Sequence, residues 1–223
     1  MNDTISNGYS NVSWMGFYNY GQQQRSILSS PTYVLIILNV LVFLVMLLSG
    51  DFGDCSSITC QLMAQTTEAV MQGEYWQLFT SMFVHFGFLH IIFNMFALYY
   101  FGRLNETFFS SKSYLAIYFV SGLLGNVVSL FMLPAATLSG GASGAIFGLV
   151  GSYVAIARKA RHMGVALLYA IMMLVYSGVG LGGMDVNNFA HVFGFVGGLA
   201  VGLFLSRSRS SPEPGYSVTY NYS

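Results

Sequence analysis

The chain has 223 residues, 55% of them hydrophobic and only 7% charged, with a mean hydropathy of +0.62 and a formal net charge of zero. Soluble domains carry about a quarter charged residues, so this is the composition of a membrane protein. A balanced charge gives no basic surface on which to expect nucleic acid or a polybasic lipid contact.

Residues 1–30 are rich in Asn, Ser, Gln and Tyr, show no secretory signal pattern, and are expected to form a polar tail. Six apolar runs follow, at 32–48, 87–102, 113–133, 142–157, 163–181 and 188–206. About 20 apolar residues cross a bilayer as a helix, and backbone at membrane depth must satisfy its own hydrogen bonds. The expectation is therefore an all-α polytopic membrane protein with six transmembrane helices over 31–206, followed by a second polar tail at 207–223. The second and fourth runs are short, and their helices are expected to extend into flanking residues or sit off-centre. The long loop at 49–86 contains Tyr75, Trp76, Phe79, Phe83 and Phe86, too apolar for a disordered linker, and is expected to lie in the membrane interface. Cys55 and Cys60 both fall in this loop; their spacing is compatible with a disulfide or with two free thiols.

Six spans place the N-tail, the 103–112 and 158–162 loops and the C-tail on one side. All 8 basic residues fall there: Arg25, Arg103, Lys112, Arg158, Lys159, Arg161, Arg207 and Arg209. The other side holds Asp51, Asp54, Glu68, Glu74 and Asp185 with no Lys or Arg. The positive-inside rule then puts both termini in the cytoplasm of a cell whose plasma membrane the chain spans.

In that arrangement the second, fourth and sixth spans all run inward from the outer face. His90 and Asn94 lie in the first turns of the second, Ser143 opens the fourth, and His191 is in the first turn of the sixth. An unpaired polar side chain in lipid costs about 2–7 kcal/mol, so these four are expected to face one another at a shared depth. Ser143, in Gly141-Ala-Ser-Gly144, is a candidate nucleophile that needs a base to take its proton, and His191 is the candidate base. Asn188 is a plausible N-cap for the sixth helix. The free N–H groups at the start of the fourth helix, with His90 and Asn94 on one face of the second, are candidate oxyanion donors. No buried acid offers itself as a third member. Phe147, one turn from Ser143, is placed to hold the imidazole by stacking. Gly194, Gly198 and Gly202, with Gly144 and Gly148, form four-residue repeats that allow the fourth and sixth helices to approach closely. Taken singly, a serine in a glycine-rich turn is more often helix packing than a nucleophile, and Asn94 could simply bridge helices.

Together, Gly141-Ala-Ser143-Gly144, His85-Phe-Gly-Phe-Leu-His90, His90-Ile-Ile-Phe-Asn94 and Ala190-His191 with the Gly194/Gly198/Gly202 repeat resemble the rhomboid family of intramembrane serine proteases, over residues 30–206. The resemblance implies a six-helix bundle that cleaves the transmembrane segments of other membrane proteins. It assigns Ser143 and His191 to a catalytic dyad, His90 and Asn94 to the oxyanion site, and Gly141, Gly144 and Phe147 to its support. It also implies an acyl-enzyme, an active site open to the outer face, and no metal or organic cofactor. Three positions depart from frequent family patterns: Trp76-Gln77 where many members have Trp-Arg, Phe147 where several have Tyr, and Asn187-Asn188 where an acid-Asn pair is common. The alternative is an inactive rhomboid-like chaperone or degradation adaptor, although such relatives usually lose the serine or the histidine. Oligomeric state and physiological substrate are not legible in the sequence.

Overall fold

Ser30 precedes a proline whose fixed φ suits a first helical turn, and there the first long helix begins. The computed structural model describes residues 27–156, Gly164, Leu168 and 187–207. Its long helices are α1 (Pro31–Leu48), α5 (Phe88–Phe108), α6 (Ser111–Met132), α7 (Ser143–Ile156) and α8 (Asn188–Arg207). Three short helices, α2 (Ile58–Met63), α3 (Thr67–Met71) and α4 (Gln77–Thr80), lie between α1 and α5. There is no strand among the described residues, only an isolated pairing of Gln65 with Ser139.

Helices α1, α6 and α8 are each long and apolar enough to cross a membrane. Taken with the Gln77–Phe83 segment, bent from it by 91°, α5 makes a fourth. The fourth apolar run forms α7, whose described part has 14 residues. Apart from Gly164 and Leu168, the fifth run lies outside the described residues, as do most of both predicted tails.

Burial separates two kinds of helix. Ile37, Leu38, Leu41, Leu44 and Val45 of α1 are exposed, as are Ile92, Phe93 and Phe96 of α5 and Val192 and Val196 of α8. These apolar faces suit a hydrocarbon surrounding. By contrast, α7 is buried from Gly144 to Tyr153 and forms the centre of the bundle. It packs against α5, α6 and α8, and α1 packs on α5. The core includes Leu98, Phe101, Tyr114, Ile117, Tyr118, Ile146 and Leu149. Buried polar groups join the helices at the end away from Ser143: Asn105 Nδ2 donates to Leu149 O, and Ser152 Oγ donates to Asn105 Oδ1. Nearby, Glu106 accepts from Ser30 Oγ and Thr32 N while pairing with Arg103.

The loop between α1 and α5 is ordered by local chemistry. Ser57 caps α2 and Thr66 caps α3 through their side-chain oxygens. Cys55 and Cys60 are joined by a disulfide, which decides between the two sequence alternatives. Asp51 ties the same turn by accepting from Gly53 N, Cys55 N and Ser57 Oγ. Trp76 donates its indole N–H to Leu62 O, and both it and Tyr75 remain exposed. Gln77 is buried: its Oε1 accepts from Thr66 N and its Nε2 donates to Gln61 O and Glu74 Oε2. At this position the chain has an internal tie of the loop.

Candidate active site

Two helices meet at the site almost without side chains between them. A Cβ placed on Gly194 would lie 2.1 Å from Gly144 O, one on Gly198 1.9 Å from Gly148 O, and one on Gly202 2.8 Å from Ser152 Cα. α8 therefore runs along α7 in fixed register, backbone against backbone. Ser143 is the first residue of α7, and Ala142 O accepts the first helical bond, from Ile146 N. The N–H groups of the opening turn precede that bond and have no intrahelical partner.

His191 is in the first turn of α8, and its Nε2 lies 2.8 Å from Ser143 Oγ. The ring is 4% exposed and stacks on Phe147, with centroids 4.6 Å apart and planes 19° from parallel. Its Nδ1 has no hydrogen-bond partner among the described residues. Asp185 lies outside them.

His90 and Asn94 approach from α5. Phe86 N donates to His90 Nδ1 at 3.2 Å, so a neutral ring carries its proton on Nε2. That nitrogen borders the space above Gly141: a Cβ there would lie 3.0 Å from His90 Nε2 and 3.6 Å from Ser143 Oγ. Gly141 has φ +129°, which L side chains rarely adopt. Asn94 is buried; its Nδ2 donates to His90 O, and its Oδ1 has no partner among the described residues. His85 packs its ring edge-on to His90 at 5.0 Å and shares a hydrogen bond with Phe83 O.

One sequence expectation is corrected. The cap of α8 is Asn187, not Asn188: Asn187 Oδ1 accepts from Ala190 N at 3.0 Å. Its amide Nδ2 also donates to Ser129 Oγ on α6 and Ser139 Oγ before α7. Adjacent asparagines are equally good caps by composition, and the sequence holds no signal to choose between them.

The Rhomboid domain model matches residues 72–208, which include all of these groups. The chain belongs to the rhomboid family. It is 30% identical to the rhomboid protease GluP of Bacillus subtilis (strain 168) over 82% of this chain and 36% of that protein. It is 31% identical to the rhomboid protease GlpG of Salmonella choleraesuis (strain SC-B67), over 76% of this chain and 61% of the relative. With Rhomboid-like protease 2 of Toxoplasma gondii the identity is 27%, over 92% of this chain and 75% of the other. The chain thus spans little more than a third of GluP, and 66% of the putative rhomboid protease YdcA of Bacillus subtilis (strain 168). Family membership and the apolar helices make this rhomboid an integral membrane protein.

Proposed function

We propose that this rhomboid is an intramembrane serine endopeptidase in which Ser143 is the nucleophile and His191 the general base. The observation that carries the reading is the 2.8 Å contact between His191 Nε2 and Ser143 Oγ, made by residues 48 apart in sequence on two different helices. In the attack, Ser143 Oγ bonds to the scissile carbonyl carbon and its proton passes to His191 Nε2. The carbonyl becomes an oxyanion, met by His90 Nε2–H, the second amide hydrogen of Asn94 and the N–H groups opening α7. Collapse breaks the C–N bond, with the His191 proton going to the leaving amine, and leaves an acyl-Ser143. Water then attacks the acyl carbon and gives its proton to His191 Nε2. That proton returns to Ser143 Oγ as the ester C–O bond breaks, releasing the acid and the free serine. His191 must enter this cycle with Nδ1 protonated and Nε2 free.

The proposed substrates are transmembrane segments of other membrane proteins, entering where their helix is locally unwound, since the carbonyls of an intact helix are already hydrogen-bonded. The proposed frame is a six-helix protease domain over 31–206 with cytoplasmic tails and a site open to the outer face. It rests on the one-sided distribution of the 8 basic residues. The test is labelling by a fluorophosphonate probe, with the adduct mapped. Labelling at Ser143 that is lost in Ser143→Ala and His191→Ala is expected. Its absence in folded protein, with the probe shown to reach the site, would assign the chain to a non-proteolytic role such as chaperone or degradation adaptor.

A further inference from the structure

Among the described residues, no side chain hydrogen-bonds the far side of the His191 ring. Its Nδ1 is unpartnered among the described residues, so Phe147 orients the ring plane but no third group fixes the ring's position. That position must come from the backbone of α8's first turn. Asn187 fastens this turn to other described residues. Its Oδ1 accepts from Ala190 N at 3.0 Å, while its Nδ2 donates to Ser129 Oγ at 2.6 Å and Ser139 Oγ at 2.9 Å.

Each partner is itself held. Ser129 Oγ donates to Gly125 O, and Gly125 packs directly on Ala190, whose carbonyl would lie 2.7 Å from a Cβ there. Ser139 exchanges both backbone hydrogen bonds with Gln65, each 2.8 Å, four residues before Ser143. Gln65 Nε2 in turn donates to Asn126 O on α6. A single amide therefore joins the segment leading into Ser143, helix α6, and the turn that carries His191.

We infer that Asn187 is a positioning residue for the Ser143–His191 pair, holding the backbone from which the imidazole hangs in place of a third triad member that would hold the ring. The inference rests on the dyad proposed above. It separates two functions of one side chain: capping, which needs only an acceptor oxygen, and bridging, which needs a second polar atom reaching both serines. Substitutions divide them. Asn187→Ser keeps a good cap but is too short to bridge. Asn187→Asp keeps the cap and leaves a second oxygen to which the Ser139 hydroxyl can donate. Ser129 Oγ, whose proton goes to Gly125 O, has none to give it, so only the Ser139 arm of the bridge survives.

The experiment is the rate of fluorophosphonate labelling at Ser143 per folded molecule, with kcat and KM for one transmembrane substrate in liposomes. An ångström-scale displacement of a reacting group costs on the order of 100-fold, so Asn187→Ser should label about 10- to 100-fold more slowly. Its kcat should fall with KM nearly unchanged, and Asn187→Asp, which keeps the Ser139 arm, should recover part of the rate. Thermal unfolding separates this from a purely structural role. An Asn187→Ser protein that loses stability yet labels at the wild-type rate per folded molecule overturns the inference and leaves the dyad standing. A folded wild-type protein that does not label at Ser143 overturns both.

Discussion

Gly194→Ala tests whether the dyad is set by backbone packing. The added methyl would sit 2.1 Å from Gly144 O. The closest ordinary C–H···O approach is about 3.3 Å, so the helices must separate by about 1.2 Å at this level. Gly194 lies one turn from His191, and Gly144 directly follows Ser143, leaving little chain over which the displacement can decay. A 2.8 Å contact lengthened by that amount approaches about 4 Å, beyond hydrogen-bond range. Expected losses are about 100-fold in turnover and about 1–3 kcal/mol in stability from overpacking. Gly197→Ala is the internal control, because its methyl would meet the end of the Leu124 side chain at 2.9 Å, which can rotate aside. Both variants would be assayed in proteoliposomes by cleavage of a transmembrane substrate and by probe labelling, corrected for the folded fraction. A Gly194→Ala protein within about threefold of wild type would refute the packing argument.

Four further outcomes are expected. Asn94→Ala should lower turnover by about 10- to 1000-fold, the scale of one oxyanion donor, in the same cleavage assay; unchanged turnover would make Asn94 a structural amide only. Gly141→Ala should lose both labelling and cleavage, since its methyl strains a +129° φ and crowds His90 Nε2, and retained turnover would remove the oxyanion from that space. Replacing Cys55 and Cys60 by Ala, or adding reductant, should cost about 2 kcal/mol for so short a loop, read as a lower unfolding midpoint that reductant no longer changes in the double variant. Gln77→Ala strips the partner from the half-buried Thr66 N–H, and limited proteolysis should cut the 57–80 segment faster than in wild type.

Periodicity and helix entry made much of the site legible. Ser143, His191, His90 and Asn94 were singled out because each stands near the start of an apolar run. The glycine repeats announced close helix contact, and the structure supplies the register: Gly194 on Gly144 and Gly198 on Gly148. Other features were not written in any local pattern. Gly125 looks like one more small residue in an apolar helix, yet it is where Ala190 docks. No local pattern marks Gln77 as inward-facing; the fold of the loop turns it to three partners. Ser129 and Ser139 become meaningful through Asn187, 58 and 48 residues away. Long-range polar pairing has no sequence period, so it cannot be read from spacing.

Lipid tails are as apolar as the helix faces they contact, so the hydrophobic effect does little to press α7 against α8. Their association falls to van der Waals contact along the glycine face, and that same face sets the distance between Ser143 and His191. Substitutions on it should therefore degrade folding and catalysis together. Asn187 and Asn94 stand apart from the face: one ties a helix end, the other is an amide donor on α5. At these two positions activity should fall further than stability. Plotting turnover against unfolding free energy for both groups distinguishes the two origins of precision. If Gly194→Ala and Gly198→Ala fall on one line with Asn187→Ser and Asn94→Ala below it, packing supplies the coarse alignment and hydrogen bonds the last fraction of an ångström. If all four share one line, geometry and stability are not separable in this bundle, and no residue positions the dyad independently of the fold.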